Sequence, residues 1–168
     1  MVIKHTGQRV AVLIDVQNLY HSAKNIYGAR VNFREVLKLA VSQRNLIRAF
    51  AYVVRTKTGE EKLFFEALTK LGIETRVRDL QEFYGGLKKA DWDVGITVDA
   101  IRIAPSIDTI VLASGDGDFI QLVEYLKNQG KRVEVIAFSH SASSKLKEVA
   151  DEFIDLEKKP KSIYIKND

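Results

Sequence analysis

The chain has 168 residues, of which 46% are hydrophobic and 29% charged, a globular balance for one domain that buries about two-thirds of its unfolded surface. It has no cysteine, which excludes disulfides, thiolate zinc sites, iron–sulfur clusters and cysteine nucleophiles. A formal charge of +4, from 26 Lys+Arg against 22 Asp+Glu, tilts only slightly toward nucleic acid.

The opening MVIKHTGQRV has no signal-peptide core, and no apolar run approaches the roughly 18 residues of a membrane span, so a cytoplasmic protein without a membrane partner is expected. Residues 10–14 (VAVLI) are a short continuous apolar run that stops at Asp15, as a central parallel strand does. Helices are predicted over 18–27 and 33–42, and a second strand over 47–54. A capping-box pattern at Thr58-Gly59-Glu60-Glu61 opens a helix through Leu71, ended by Gly72. Residues 73–80 alternate loosely as a third strand near the sheet edge, where pairing with a second copy would make a homo-oligomer. The stretch 82–89 (EFYGGLKK) reads as a loop.

A helix of nearly all-round apolar character follows over 91–103. A strand over 109–113, a helix over 119–128 closed by Gly130, a strand over 133–138, a short helix over 143–149 and a last strand over 152–154 complete the pattern. The charged stretch 157–168 is expected to be a mobile tail, leaving one domain over 1–156. Strands separated by helices imply an α/β fold, a three-layer sandwich with a mostly parallel Rossmann-like sheet.

Open parallel sheets bind ligands outside the carboxyl ends of their strands, so the acids at those ends are the candidate functional groups. Asp15 and Asn18 follow the first strand, Ser114-Gly115-Asp116-Gly117-Asp118 follows the fourth, and Asp91-Trp92-Asp93 opens the helix between them. Helix capping accounts for any one of these acids: Asp116 or Asp118, Asp15 or Asn18, or Asp93 in a first turn. Two aspartates bracketing a glycine weaken that account without removing it, because capping needs only one acid. Asp15, Asp93, Asp116 and Asp118 on one edge would repel one another without a divalent counter-ion, and carboxylate oxygens suit Mg²⁺ or Mn²⁺. An EF-hand is excluded, because the twelfth position from Asp116 is Lys127. Asp99, six residues past Asp93 and about 120° around the helix, is either a residue behind the ligands or a buried acid. His140 reads as a loop residue.

Three stretches, VLIDVQNLY (12–20), KKADWDVGITVDA (88–100) and LASGDGDFIQLVEYLKNQGKRVEV (112–135), resemble the NYN domain, the LabA-like branch of the PIN-like nuclease fold. The resemblance implies a metal-dependent endoribonuclease. In it Asp15, Asp93, Asp116 and Asp118 hold Mg²⁺ or Mn²⁺ and carry the catalysis, with Asn18 as polar companion. The family commonly has glycine after the lysine of the second motif, where this chain reads Lys89-Ala90-Asp91-Trp92-Asp93; the register of Val94 and Asp99 selects Asp93 over Asp91. Carboxylate-held hard cations can activate water and neutralise phosphate charge without any histidine.

The substrate would be RNA, expected to be single-stranded. It would be met by Asn18, Ser114, Arg55, Lys57, Lys88 and Lys89, with Lys145 nearby and Phe83 and Tyr84 as stacking faces. Tyr20, Tyr27 and the Phe64-Phe65 pair are assigned to helix packing. The alternative is a catalytically weak RNA- or protein-binding regulatory module that keeps the acidic pocket. A phosphotransfer domain of the receiver or haloacid-dehalogenase type ranks last, because Asp15-Val16-Gln17 is not the Asp-x-Asp of the phosphatase.

Overall fold

Residues 10–14 are wholly buried, and their alternating side chains feed two separate cores, one on each face of a sheet. The fold is seen in a computed structural model that describes residues 2–59, 61–82, 88–89 and 91–164. Six parallel strands form the sheet: β1 (Arg9–Asp15), β2 (Asn45–Arg55), β3 (Glu74–Asp79), β4 (Thr109–Ala113), β5 (Arg132–Ala137) and β6 (Glu152–Asp155). Their spatial order is β3-β2-β1-β4-β5-β6.

Val10, Val12 and Ile14 pack against α1 (Val16–Tyr27), α2 (Phe33–Val41) and α3 (Lys62–Lys70). Ala11 and Leu13 pack on the other face against α4 (Asp93–Ile103), α5 (Ile120–Asn128) and α6 (Ser144–Val149). From β1 the chain steps outward through β2 to β3, then crosses back to β4 on the other side of β1. That reversal opens a crevice at the carboxyl ends of β1 and β4. The expected α/β sandwich is therefore the observed one. Among the described residues, no helix is long and apolar enough to cross a membrane.

Four local expectations are corrected. The helix expected to open at Thr58 begins at Lys62, because Gly59 turns the chain at φ +65° and Glu61 is drawn back to accept the Thr56 amide and hydroxyl. The segment 157–164, expected to be mobile, is packed: Leu156 and Ser162 are buried, and Ile163–Tyr164 pairs antiparallel with Arg30–Val31. Asn32 anchors it, its amide N–H donating to the Ser162 carbonyl at 2.7 Å and its side chain to the Lys161 carbonyl at 3.0 Å. Tyr20 and Tyr27 lie on the exposed side of α1 rather than in the core, and α4 leaves Val94, Val98 and Ile101 facing outward. In the expected loop, Gln81–Glu82 pairs antiparallel with Lys88–Lys89. The substrate role expected of Lys88 and Lys89 concerns side chains outside the described set, as does that of Phe83 and Tyr84.

Candidate metal centre

Asp15 ends β1 and caps α1: one carboxylate oxygen accepts the Asn18 N–H at 3.3 Å, and the other accepts the Ser114 hydroxyl at 2.9 Å. Ser114 is fully buried, and its oxygen also accepts the Asp116 N–H at 3.2 Å. The Asn18 side-chain oxygen accepts the Gly115 N–H at 2.9 Å. Asn18 and Ser114, expected to meet substrate, thus use these groups to tie the end of β1 to the end of β4.

The glycines of Gly115-Asp116-Gly117-Asp118 have a steric reason rather than a positive φ. A Cβ at Gly115 would lie 2.8 Å from the Ala142 Cα, and one at Gly117 would lie 3.1 Å from the Ser143 Oγ. The loop and the segment leading into α6 approach closely enough for the Ser143 N–H to donate to the Gly115 carbonyl at 2.9 Å.

Asp93 is the first residue of α4 and arrives from the opposite side of the crevice. Asp15, Asp93 and Asp116 each place a carboxylate oxygen within 4.8 Å of the others. Ligands around one Mg²⁺ at about 2.1 Å lie at most ~4.2 Å apart, so small side-chain rotations close the gap. Burial, the Asp116 charge and a hydrogen bond with Asp118 push the Asp93 carboxyl up to about 7. Burial also raises Asp15, against the opposing bonds from Asn18 and Ser114. Among the described side chains no lysine or arginine forms an ion pair with any of the three. Three converging oxygen donors with no such cationic partner fit a hard divalent cation.

The other candidates fall around this triad or away from it. Asp118 is exposed, donates its N–H to Asp116 at 2.9 Å and flanks Asp93. Asp91 is exposed and accepts the Asp93 N–H at 3.3 Å, which is turn chemistry. Asp99, expected to lie behind the ligands or to be a buried acid, accepts the Tyr52 hydroxyl at 2.8 Å and lies 3.4 Å from Arg76, which neutralises it. Arg55 is paired with Asp79 at 2.9 Å. Lys57 and Lys145 are exposed, and His140 is an exposed loop residue whose ring lies 3.2 Å from Glu157. Sequence reasoning gave Trp92 and Arg78 no role. Trp92 Nε1 donates to the Val53 carbonyl at 3.0 Å and Arg78 covers its ring, and the only sequence signal was tryptophan standing inside the second motif.

The raised acids make the metal-free protein pH-sensitive. With Asp93 at about 7 folded and near 3.9 unfolded, the native state holds the extra proton between those values, so stability falls as pH rises through that window. Asp93 is only partly buried, and solvent screening reduces the effect to roughly 1–2 kcal/mol, a few degrees in melting temperature. Chelated protein is expected to melt lower at pH 8 than at pH 5.5, and Asp93→Asn should flatten that slope. An equal slope in the variant would assign it to other groups.

The NYN domain family pattern matches residues 9–157. The chain is 28% identical over 156 residues to the low amplitude and bright protein LabA of Synechococcus elongatus, covering 88% of this chain and 83% of that one. It is 29% identical over 177 residues to the uncharacterised protein MJ0482 of Methanocaldococcus jannaschii, covering 97% of this chain and 66% of that one. A crystal structure of a protein of unknown function, VPA0982 from Vibrio parahaemolyticus, superimposes with a TM-score of 0.86 at 30% identity, covering 97% of this chain and all of that one. NYN domains are a PIN-like nuclease family that acts on nucleic acid and generally uses divalent metals. With the pattern spanning nearly the whole sheet and all three acids of the crevice, this chain belongs to the NYN domain family.

Proposed function

We propose that the protein is an endoribonuclease that hydrolyses phosphodiester bonds of single-stranded RNA with Mg²⁺ or Mn²⁺ held by Asp15, Asp93 and Asp116. The observation that carries this reading is the meeting of those three carboxylates within 4.8 Å in the crevice. The bound cation would activate water and offset charge on the scissile phosphate. The Asp15 carboxylate is held for this by the Ser114 hydroxyl and the Asn18 N–H, and the Asp116 carboxylate by the Asp118 N–H, so small rotations suffice to bring both to the cation. Asp118, exposed beside Asp93, stands where a proton can pass between that carboxylate and solvent.

Single strands are favoured by the outer face of α1, the helix that starts at Asp15. It carries no acid, and it exposes Tyr20, His21 and Lys24, with the lysine 5.9 Å from the Tyr20 ring centre. Exposed rings beside a cation suit unpaired bases and their phosphates.

Labelled single-stranded and duplex RNA of one sequence, incubated with Mn²⁺ or with EDTA, test the reading. Cleavage is expected on the single strand with Mn²⁺, and little on the duplex or with EDTA. Undiminished cleavage in EDTA would overturn a metal-dependent mechanism. Stabilisation by Mn²⁺ with no product would favour the regulatory module instead.

A further inference from the structure

Asp15 and Asp116 sit on neighbouring strands that Ser114 and Asn18 bind together, but Asp93 comes on a helix delivered by the crossing from β3. Burial and the Asp116 charge both disfavour a third carboxylate there. Holding the start of α4 in place therefore needs attachments elsewhere, and Trp92 and Arg78 provide them.

Trp92 immediately precedes Asp93, and its side chain makes no cap bond to the helix. The indole N–H instead reaches across to β2 and donates to the Val53 carbonyl at 3.0 Å. Its ring meets Tyr52 at 5.4 Å between centroids. On its other side it lies against Gly95, where a Cβ would come 2.5 Å from the ring; only glycine leaves the ring its seat. The Arg78 guanidinium covers the ring 4.3 Å from its centroid, and Arg78 Nη1 donates to the Asp91 carbonyl at 2.6 Å. The first helical bond, from the Ile96 N–H to the Trp92 carbonyl at 2.7 Å, then passes this anchoring into α4. Residues 91 and 92 are thus gripped from β2 and β3 one peptide before Asp93.

We infer that Trp92 and Arg78 are positioning residues: they clamp the entry to α4 so that the Asp93 carboxylate stands within reach of a cation shared with Asp15 and Asp116. The inference rests on the metal-centre reading above. It extends that reading to two residues that touch neither metal nor RNA.

The test reads metal affinity directly, by titrating the full chain with Mn²⁺ and following the electron paramagnetic resonance of the free ion. Arg78→Gln, Gly95→Ala and Trp92→Phe are each expected to weaken Mn²⁺ binding about 10-fold or more, the scale found when partners behind metal ligands are lost. Arg78→Lys, which keeps a cation for the ring and a donor for the Asp91 carbonyl, should recover most of the affinity. Arg76→Gln, one pleat along the same strand but directed at Asp99, should leave it unchanged. Saturating Mn²⁺ should restore cleavage in Arg78→Gln with KM for RNA unaltered, which general unfolding would not allow. Trp92 is the single tryptophan, so in Arg78→Gln its emission reports any loss of the seat. Should Gly95→Ala fail to fold, Arg78→Gln, a change at an exposed residue, keeps the test decisive. If wild type binds Mn²⁺ and Arg78→Gln binds it equally well, the clamp is wrong while the metal centre stands. If wild type binds no Mn²⁺, both are wrong.

Discussion

Replacing Asp116 by asparagine is expected to slow Mn²⁺-dependent RNA cleavage roughly a thousandfold, the several kcal/mol that a correctly held cation contributes to transition-state charge. The same change should leave the chelated protein at least as stable as wild type. Asparagine keeps an oxygen for the Asp118 N–H, and removing one charge relieves Asp93 and Asp15, whose carboxyls Asp116 helps to push up. Lost activity with retained or increased melting temperature is therefore the signature of a ligand, as distinct from a structural acid. Single-turnover cleavage and calorimetry in EDTA give the two measurements. Cleavage that persists undiminished in Asp116→Asn would mean that the activity comes from another site or another protein. Asp15→Asn is a less clean substitution, because Asp15 also caps α1 and receives the Ser114 hydroxyl, so it should cost both activity and stability.

A second large effect is expected far from the crevice. Glu134 on β5 is fully buried, and its two oxygens accept from Arg44 at 2.7 and 2.8 Å and from Arg132 at 2.8 Å. Burial alone would raise this carboxyl, but the hydrogen bonds from Arg44 and Arg132 outweigh it and hold the group below the usual range. Arg44 also bonds the carbonyls of Ala40 and Val41 and reaches Gln8 just before β1, which places the network at the amino end of the sheet. Glu134 is level with Val12, three residues short of Asp15 and two strands across from β1, which separates it from the end of β1 by roughly 15 Å.

Glu134→Gln leaves Arg44 buried without an anion and Arg132 with Glu152 alone, and is expected to cost about 3–5 kcal/mol, read as a lower urea midpoint. Pairing Glu134→Leu with Arg44→Met removes two of the three buried charges, leaves Arg132 paired with Glu152, and should recover much of that loss. A cost below about 1 kcal/mol for Glu134→Gln would show that water reaches the site. The depressed pKa sets the sign of the acid dependence. The contribution of Glu134 is present above the unfolded glutamate value near 4.3 and lost as pH falls below it, opposite to the Asp93 effect. Mn²⁺ affinity should not change in either Glu134 variant, so the two ends of the molecule can be tested independently.

Much of the fold was open to inspection in the linear chain. Residues 10–14 and 110–113 read as buried strands, since four or five consecutive apolar side chains suit neither a half-exposed strand nor a short surface helix. The alternation of such runs with helical periods implied the parallel sheet, and the rule for strand ends then pointed to Asp15, Asp93, Asp116 and Asp118 as candidates. The fold inference succeeds because periodicity and burial are local properties, written in residues that neighbour one another.

The failures share the opposite character. Tyr20 and Tyr27 are apolar enough to suggest a core, yet the side of α1 that faces the sheet is already filled by Val16, Leu19 and Ala23. Residues 157–164 look like solvent-loving tail until Asn32, some 130 positions earlier, offers Ser162 and Lys161 its bonds. Asp99 sits in register with Asp93 on paper, but Tyr52 and Arg76 occupy it from strands that only folding brings near. From the sequence alone came the elements, their order and the edge on which the acids gather. Tertiary structure alone decided which acids meet, what neutralises the rest and what fixes Asp93, because hydrogen bonds and charges choose partners by distance in space, and no period along the chain encodes that distance.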